Sequence, residues 1–333
     1  MIHVDEKRIY EEIERRRPKI VALNAPDGLL SRLEPIASEI RDRYGIETFV
    51  LADPSYGSCD TPNIEAAALG AEIAFHVGHN IAFDRLGERT VLIDAWDDVS
   101  FQEILSLALP IVRKFGSIGL CSLSPHLHQL ESARKFLEQN GIEVIIGKGK
   151  GQLKDGQVFG CEFYPVFETR DSVNAFVLLG QSRFHAIGVA LSTAKPTFML
   201  DPYLNEVVDV TELVQERLKR TILAIYRARD AETFGVITGL KEGQKMVGRT
   251  LDIKRKLEER GKKVKLLAMR EINGDRLALF SDVEAFIQTA CPRISIDGYT
   301  FQKPVLSVPQ AEALIQVLDG KEPGDFLQKS HWL

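Results

Sequence analysis

Apolar positions along the chain fall into short β-type runs that alternate with longer amphipathic helical stretches, and Gly, Asp or Pro turns separate the two. That alternation is the pattern of parallel sheets. The first stretch predicts strands over 19–26 (KIVALNAP), 46–53, 71–79 and 90–96, with helices over 29–45 and 61–69. The same grammar restarts with a helix over 101–115, strand 117–124 (SIGLCSLS), helix 126–140 and strand 142–148, and AFVLLGQS and PTFMLDPY complete it. A long helix from Thr211 opens a third start, with strand 233–240 (TFGVITGL), helix 246–260, strand KKVKLLAMR and strands over 283–290 and 303–309.

Three passages align as one element: RDRYG-IETFVLAD, LEQNG-IEVIIGK and LEERG-KKVKLLAMR. Each reads as a charged helix end, a Gly just past the helix and a buried strand. We read this as threefold internal repetition. The expected fold class is α/β, with three similar Rossmann-like domains whose parallel sheets stand in a pseudo-threefold arrangement around a central site. The expected domains are 1–100, carrying Cys59, 101–208, carrying Cys161, and 209–333, carrying Cys291.

Apolar residues make up 44% and charged residues 27%, enough to bury large cores, so a disordered chain is excluded. A formal charge of -5 argues against direct nucleic-acid binding and against an anionic-membrane surface, both of which need dense Lys and Arg. No run of eighteen apolar residues occurs, and MIHVDEKRIYEEIERRR is charged where a secretory signal would be apolar, so a cytoplasmic location is expected. The ERRR run itself reads as a solvated helix end.

The four cysteines, Cys59, Cys121, Cys161 and Cys291, are too far apart for a local CxxC knuckle. In a reducing compartment each is a buried hydrophobe, a ligand or a catalyst. Cys121 lies inside a strand and reads as a buried hydrophobe. The other three follow the repeated Gly45, Gly141 and Gly261 by 14, 20 and 30 residues, in polar, turn-rich settings. Ligands in open parallel sheets bind beyond the carboxyl ends of the strands, where these loops converge. Three thiolates suit a cubane with one open iron or a zinc ion with one open position, and their number does not choose between them. His126 and His128, two apart at a helix start, point to different sides and make no metal pair.

The segments SYGSC (55–59), GQSRFHAIG (180–188), GLKEGQ (239–244) and ACPRISID (290–297) resemble the motifs of the diphthamide-biosynthesis family, in particular its archaeal 2-(3-amino-3-carboxypropyl)histidine synthase branch. The likeness runs from about Pro26 to the end. It implies a homodimer, a 4Fe-4S cluster on Cys59, Cys161 and Cys291, and radical chemistry on S-adenosylmethionine without the compact C-x-x-x-C-x-x-C loop, which this chain lacks. The implied reaction moves a 3-amino-3-carboxypropyl group to the imidazole C2 of a histidine in elongation factor 2, with an electron donor still to be identified.

Further contacts to the cofactor are expected from Gly180, Ser182 and His185 beyond AFVLLGQS, from the turn at Gly239, Gly243 and Gln244, from Arg293 beside Cys291, and from Tyr56 shielding the cluster. Each has a plainer reading: a hydrogen-bonded loop histidine, an ordinary Gly turn, a salt bridge from Arg293 to Asp297, an aromatic packing anchor. Two other functions stay open at this point. One is a Lewis-acid enzyme resembling quinolinate synthase, which also has three similar domains and three cluster cysteines. The other is a non-catalytic subunit that supports an active partner chain.

Overall fold

A computed structural model describes residues 2–81, 87–297 and 301–332. The chain packs as two compact units, one of residues 1–100 with the short segments 123–128 and 151–153, the other of the remainder. The first unit holds β1 (Ile2–Val4), α1 (Glu6–Arg16), β2 (Ile20–Asn24), α2 (Asp27–Tyr44), β3 (Glu47–Val50), α3 (Asn63–Ala68), β4 (Ile73–Val77), β5 (Thr90–Ile93) and β6 (Ala95–Asp97). The second begins with α4 (Gln102–Val112), β7 (Ser117–Ser122), α5 (Leu130–Gln139), β8 (Glu143–Ile145), α6 (Tyr164–Thr169), β9 (Ala175–Leu179), α7 (Arg183–Thr193), β10 (Thr197–Asp201) and β11 (Glu206–Asp209). It continues with α8 (Thr211–Arg229), β12 (Thr233–Gly239), α9 (Val247–Glu258), β13 (Lys263–Met269), α10 (Gly274–Ala278), β14 (Ala285–Gln288), α11 (Pro292–Ile296), β15 (Val305–Leu306) and α12 (Val308–Leu318).

Three parallel sheets repeat one strand order. They run β3-β2-β4-β5, β8-β7-β9-β10 with β11 added antiparallel, and β13-β12-β14-β15. In each, the second strand in sequence takes the edge, so β3, β8 and β13 are largely half-buried or exposed. The strand after each repeated glycine was expected to be buried, and the edge position is why it is not. The glycines themselves take the left-handed conformation that ends a helix, with φ of 65°, 78° and 78° at Gly45, Gly141 and Gly261.

The repetition reaches single side chains. Just before the third strand of each sheet a polar residue ties down the start of the first strand. Glu72 accepts from the amides of Lys19 and Ile20, and Glu284 from those of Glu232 and Thr233. Asn174 donates to Phe115 O and Ser117 Oγ at the same place. These backbone donors hold the Glu72 and Glu284 carboxyls below the usual range.

The first sheet is covered on one face by Ile9 and Ile13 of α1 and Leu33, Ile36, Ala37 and Ile40 of α2, spaced for one helical stripe. Each fully buried Ile or Leu contributes about 2 kcal/mol. The buried core of its other face is a small alanine cluster, Ala22, Ala66, Ala71 and Ala74, with Ile20 and Leu51 packed against it. The third sheet packs Phe234, Val236 and Ile287 under α8, α9 and α12, and Phe286 and Ile237 on its far side. Among the described residues no helix is long and apolar enough to cross a membrane.

Candidate functional site

In sheets of this order the strand direction of travel reverses between the first and third strands, and the carboxyl ends there form the natural ligand crevice. Cys59 lies in the loop from β3 to α3, and Cys161 in the corresponding loop of the second sheet, from β8 to α6. Cys291 instead follows a third strand, β14, and stands at the N-cap of α11. The differing offsets in the sequence thus reduce to two loop types.

Cys161 sits on a tight turn in which Phe159 and Glu162 exchange backbone hydrogen bonds of 2.9 and 3.3 Å. Residues 330–332 run antiparallel to this turn. Phe163 N donates to Ser330 O at 2.7 Å and Trp332 N donates to Cys161 O at 3.2 Å. Glu162 Oε2 lies 2.8 Å from His331 Nδ1. Trp332 is buried, with its ring 5.1 Å from Phe163 and its indole N–H donating to Leu327 O.

Cys291 is held by Gln288, a buried side chain with its hydrogen bonds filled. Its amide oxygen accepts from Ala290 N and Cys291 N, and its nitrogen donates to Cys291 O and Ser295 Oγ, at 2.7 to 3.0 Å. Two residues on, Arg293 is buried. Its Nε and Nη2 form a bidentate pair with Asp297 at 2.6 and 2.8 Å, and Nη2 also donates to Phe184 O. The guanidinium lies 3.6 Å from the centre of the Phe184 ring and 5.7 Å from that of Trp332. A Cβ on Gly160 would come 3.0 Å from the Phe184 ring, and one on Gly188 would come 2.8 Å from Arg293 Nη1. Arg293, Phe184 and Trp332 thereby tie the Cys291 turn to the Cys161 turn within the second unit. Both readings of Arg293 bear on it: the salt bridge to Asp297 is present, and Nη1 is buried with no partner among the described residues.

Cys59 is buried in a loop closed by Asp60 N donating to Gly57 O at 2.9 Å. The hydroxyls of Ser55 and Ser58 beside it are buried and find no partner among the described residues. Tyr56 is exposed. Cys121 is fully buried in β7, its thiol donates to Val177 O at 3.5 Å, and burial pushes its pKa far up, which disfavours a thiolate. Among the described residues no three His, Cys, Asp or Glu side chains close on one point as a single-ion site requires.

The segment 180–188, expected as a loop, is mostly the first turns of α7. Ser182 is its N-cap residue, and the Ser182 hydroxyl lies 2.7 Å from His185 Nδ1. Gly180 has φ of 140° at the end of β9. Gly239 touches both Gln244 and Ala290: a Cβ there would come 2.8 Å from Ala290 Cβ and 2.9 Å from Gln244 Cβ. This joins the GLKEGQ turn, with Gly243 and a buried Gln244, to the residue before Cys291. Lys241 in that turn is also buried and pairs with Glu271 at 2.7 Å.

Sequence reasoning passed over Gln288, Lys241 and Trp332, and two histidines of the first unit. His76 in β4 places Nδ1 2.6 Å from Asn24 Oδ1 and Nε2 2.9 Å from His79 Nδ1, with the two rings stacked 4.9 Å apart. Burial lowers their pKa values to about 3 and about 4, so both are neutral. The H-x-x-H spacing in FHVGH was the available signal.

The fold and these loops define an α/β protein of repeated parallel sheets that presents thiols at strand ends. Its sequence matches the family described as "Putative diphthamide synthesis protein" over residues 25–324, and the chain belongs to that family. It is 31% identical to the 2-(3-amino-3-carboxypropyl)histidine synthase of Pyrococcus horikoshii over 98% of this chain and 95% of that one. Subunit 1 of the synthase of that name from Schizosaccharomyces pombe is 31% identical, over 94% of this chain and 74% of that one. The structure of Dph2 from Pyrococcus horikoshii with a 4Fe-4S cluster superimposes with a TM-score of 0.87 at 30% identity, over 99% of this chain and 96% of that chain. Family membership separates the chain from the quinolinate synthase reading.

Proposed function

We propose that the chain is a 2-(3-amino-3-carboxypropyl)histidine synthase, which transfers the 3-amino-3-carboxypropyl group of S-adenosylmethionine to the imidazole C2 of a histidine in elongation factor 2, the first step of diphthamide biosynthesis. The observation that carries this is the match to the Pyrococcus horikoshii synthase along nearly the whole of both chains. Cys59, Cys161 and Cys291 are the ligands of a 4Fe-4S cluster in this reading. Each thiolate takes a different iron of the cubane, so they do not need to converge on one atom. The unpartnered hydroxyls of Ser55 and Ser58 fit such a group, because cluster sulfurs accept hydrogen bonds.

When bound, that cluster supplies one electron to the sulfonium of S-adenosylmethionine, and the bond to the methionine γ-carbon breaks. The chain's own residues bind and orient. Gly180, Ser182 and His185 at the N-terminal turn of α7 receive the carboxylate of the methionyl part, and Gly239, Gly243 and Gln244 cradle another part of the cofactor. Arg293 holds the Cys291 and Cys161 turns in place, with Nη1 as its remaining donor, and Tyr56 covers the Cys59 loop. Three similar α/β domains around the cluster, a symmetric homodimer, an electron donor yet to be identified and a cytoplasmic location complete the reading.

The test is to load the purified chain anaerobically with iron and sulfide and supply S-adenosylmethionine, a strong reductant and elongation factor 2. We expect 5′-methylthioadenosine and a modified histidine in the factor. Release of 5′-deoxyadenosine instead, or no cleavage by the chain alone, would sink the proposal.

A further inference from the structure

Charge is uneven along the chain, and one stretch carries an excess of base. Residues 241–270 hold 11 Lys and Arg against 4 Asp and Glu, whereas the rest of the chain holds 31 against 43. A protein of net negative charge thus has one basic stretch, made of the β12–α9 turn, α9 and the edge strand β13. Most of its cations are spent inside the fold. Lys254, Arg255 and Lys256 pair with acids along α9, and Arg260, Lys262 and Lys265 pair with acids of other elements. Lys245 and Arg249 are exposed and make no ion pair among the described residues.

These two cations stand among exposed aliphatic side chains. Leu240, Val247 and Leu251 are 41%, 55% and 49% exposed, and Val247 and Leu251 lie one turn apart on one side of α9. Arg270, also exposed, follows Met269, whose carbonyl accepts from Leu240 N. No aromatic residue occurs between Leu240 and Arg270. The face adjoins the Cys291 turn: Gly239 packs so closely that a Cβ there would come 2.8 Å from Ala290 Cβ. Because β12 and β14 are parallel neighbours, both turns leave the same end of the sheet.

A second copy of this chain would bring two basic faces together, and like charges oppose that. A nucleic-acid strand would need aromatic platforms for its bases, and the face has none. An acidic protein surface suits both the charge and the aliphatic side chains. We propose that this face receives a small acidic one-electron carrier protein that reduces the cluster of the reading above, on which the proposal rests. A carrier must dock and leave, and transient redox pairs use small patches steered by charge. The target histidine must instead enter the crevice itself, so its protein needs no seat on the outside of this turn. In the step served, the carrier loses one electron and the sulfonium gains it as its bond to the γ-carbon breaks. The products are the neutral thioether 5′-methylthioadenosine and the 3-amino-3-carboxypropyl radical.

The probe is an acidic plant-type ferredoxin, offered to the full chain as wild type, Lys245→Glu/Arg249→Glu, Val247→Ser and Lys7→Glu/Arg32→Glu. The last makes the same charge change on α1 and α2 of the first unit. Cluster-free wild type should bind the oxidised ferredoxin, and binding should weaken as NaCl is raised. Lys245→Glu/Arg249→Glu should lose about tenfold or more in affinity, Val247→Ser less, and Lys7→Glu/Arg32→Glu nothing. In cluster-loaded protein, ferredoxin-driven reduction should slow about tenfold in Lys245→Glu/Arg249→Glu. With dithionite in its place, cofactor cleavage and modification of elongation factor 2 should match wild type. Undiminished binding in Lys245→Glu/Arg249→Glu, no salt-sensitive binding in wild type, or an equal loss in Lys7→Glu/Arg32→Glu overturns the proposal. Impaired modification under dithionite would make the face a seat for elongation factor 2 and overturns it too. If wild type forms no 5′-methylthioadenosine under dithionite, the reaction itself fails, while the binding result still decides the docking face.

Discussion

The Cys161 turn and the Cys59 loop occupy corresponding crossovers of their sheets, yet the chain completes them differently. Around Cys161 the polar groups find protein partners: the turn closes on itself and residues 330–332 bind along it. Around Cys59 two buried hydroxyls, Ser55 and Ser58, are left without partners among the described residues. A buried donor with no acceptor costs about 1 to 3 kcal/mol. The Cys161 turn is organised by contacts within the protein, and in the proposed reading the two hydroxyls at Cys59 would turn to the bound cluster. Preparing part of a site in advance and leaving part to the bound group is how a cluster can be both specifically held and insertable after folding.

The strongest way to break this comparison is to remove the thiols singly. Cys59→Ala, Cys161→Ala and Cys291→Ala should each abolish stable cluster binding, read as iron and sulfide content after anaerobic loading. Cys121→Ala should bind iron as wild type does, because Cys121 is a buried thiol bonded to Val177 O with its ionisation suppressed. Full iron retention in any of the first three would remove that residue from the ligand set.

A smaller effect should come from Arg293. Arg293 is buried but its partner Asp297 is half-buried, so deleting the guanidinium should cost less than the roughly 3 to 5 kcal/mol of breaking a fully buried pair, because water screens part of the charge left behind. In Arg293→Met we expect that loss in chemical denaturation. In the cluster-free protein Cys161 should also become more reactive to alkylation, since Phe184 loses the guanidinium stacked on it. Trp332→Ala should expose Cys161 the same way by loosening residues 330–332. Cys59 reactivity should stay unchanged in both variants, and equal acceleration at Cys59 would mean global loosening rather than a local tie.

This tie was the least legible part of the sequence. The strands and the long helices could be read because β2, β7 and β12 are apolar runs and α2 carries a full apolar stripe. The short edge strands were found but placed inside the sheet, because apolar content in β3 and β13 says nothing about strand order. α7 was missed for a physical reason: it is buried on nearly all sides, so it shows no amphipathic period. The cysteines stood out by residue type and setting. Gln288 and Trp332 did not, since a Gln in a strand and a Trp near the end of the chain have no local signature, and their roles arise only from contacts across long sequence separations.

The gentlest probe of the comparison is acid. His76 is buried and neutral, with its pKa lowered from 6.5 to about 3. The unfolded chain takes up a proton as the pH falls through 6.5, while the native chain refuses it until near 3, so stability is full at neutral pH and declines as the solution is acidified. Between pH 7.5 and pH 5 this group alone should cost about 2 kcal/mol. His79 acts in the same direction but is only half-buried, so solvent screening makes its share smaller. Those changes lie above the window in which Glu72 and Glu284 titrate, because their carboxyls are held below 4.5. Chemical denaturation at the two pH values should therefore show a slope in the wild type that His76→Gln flattens. Asn24 and His76 lie in β2 and β4, so hydrogen exchange in those strands should accelerate on acidification before exchange in β12 and β14 of the third sheet. If the two sheets loosen together, the His76–His79 pair is not what makes the first unit sensitive to acid.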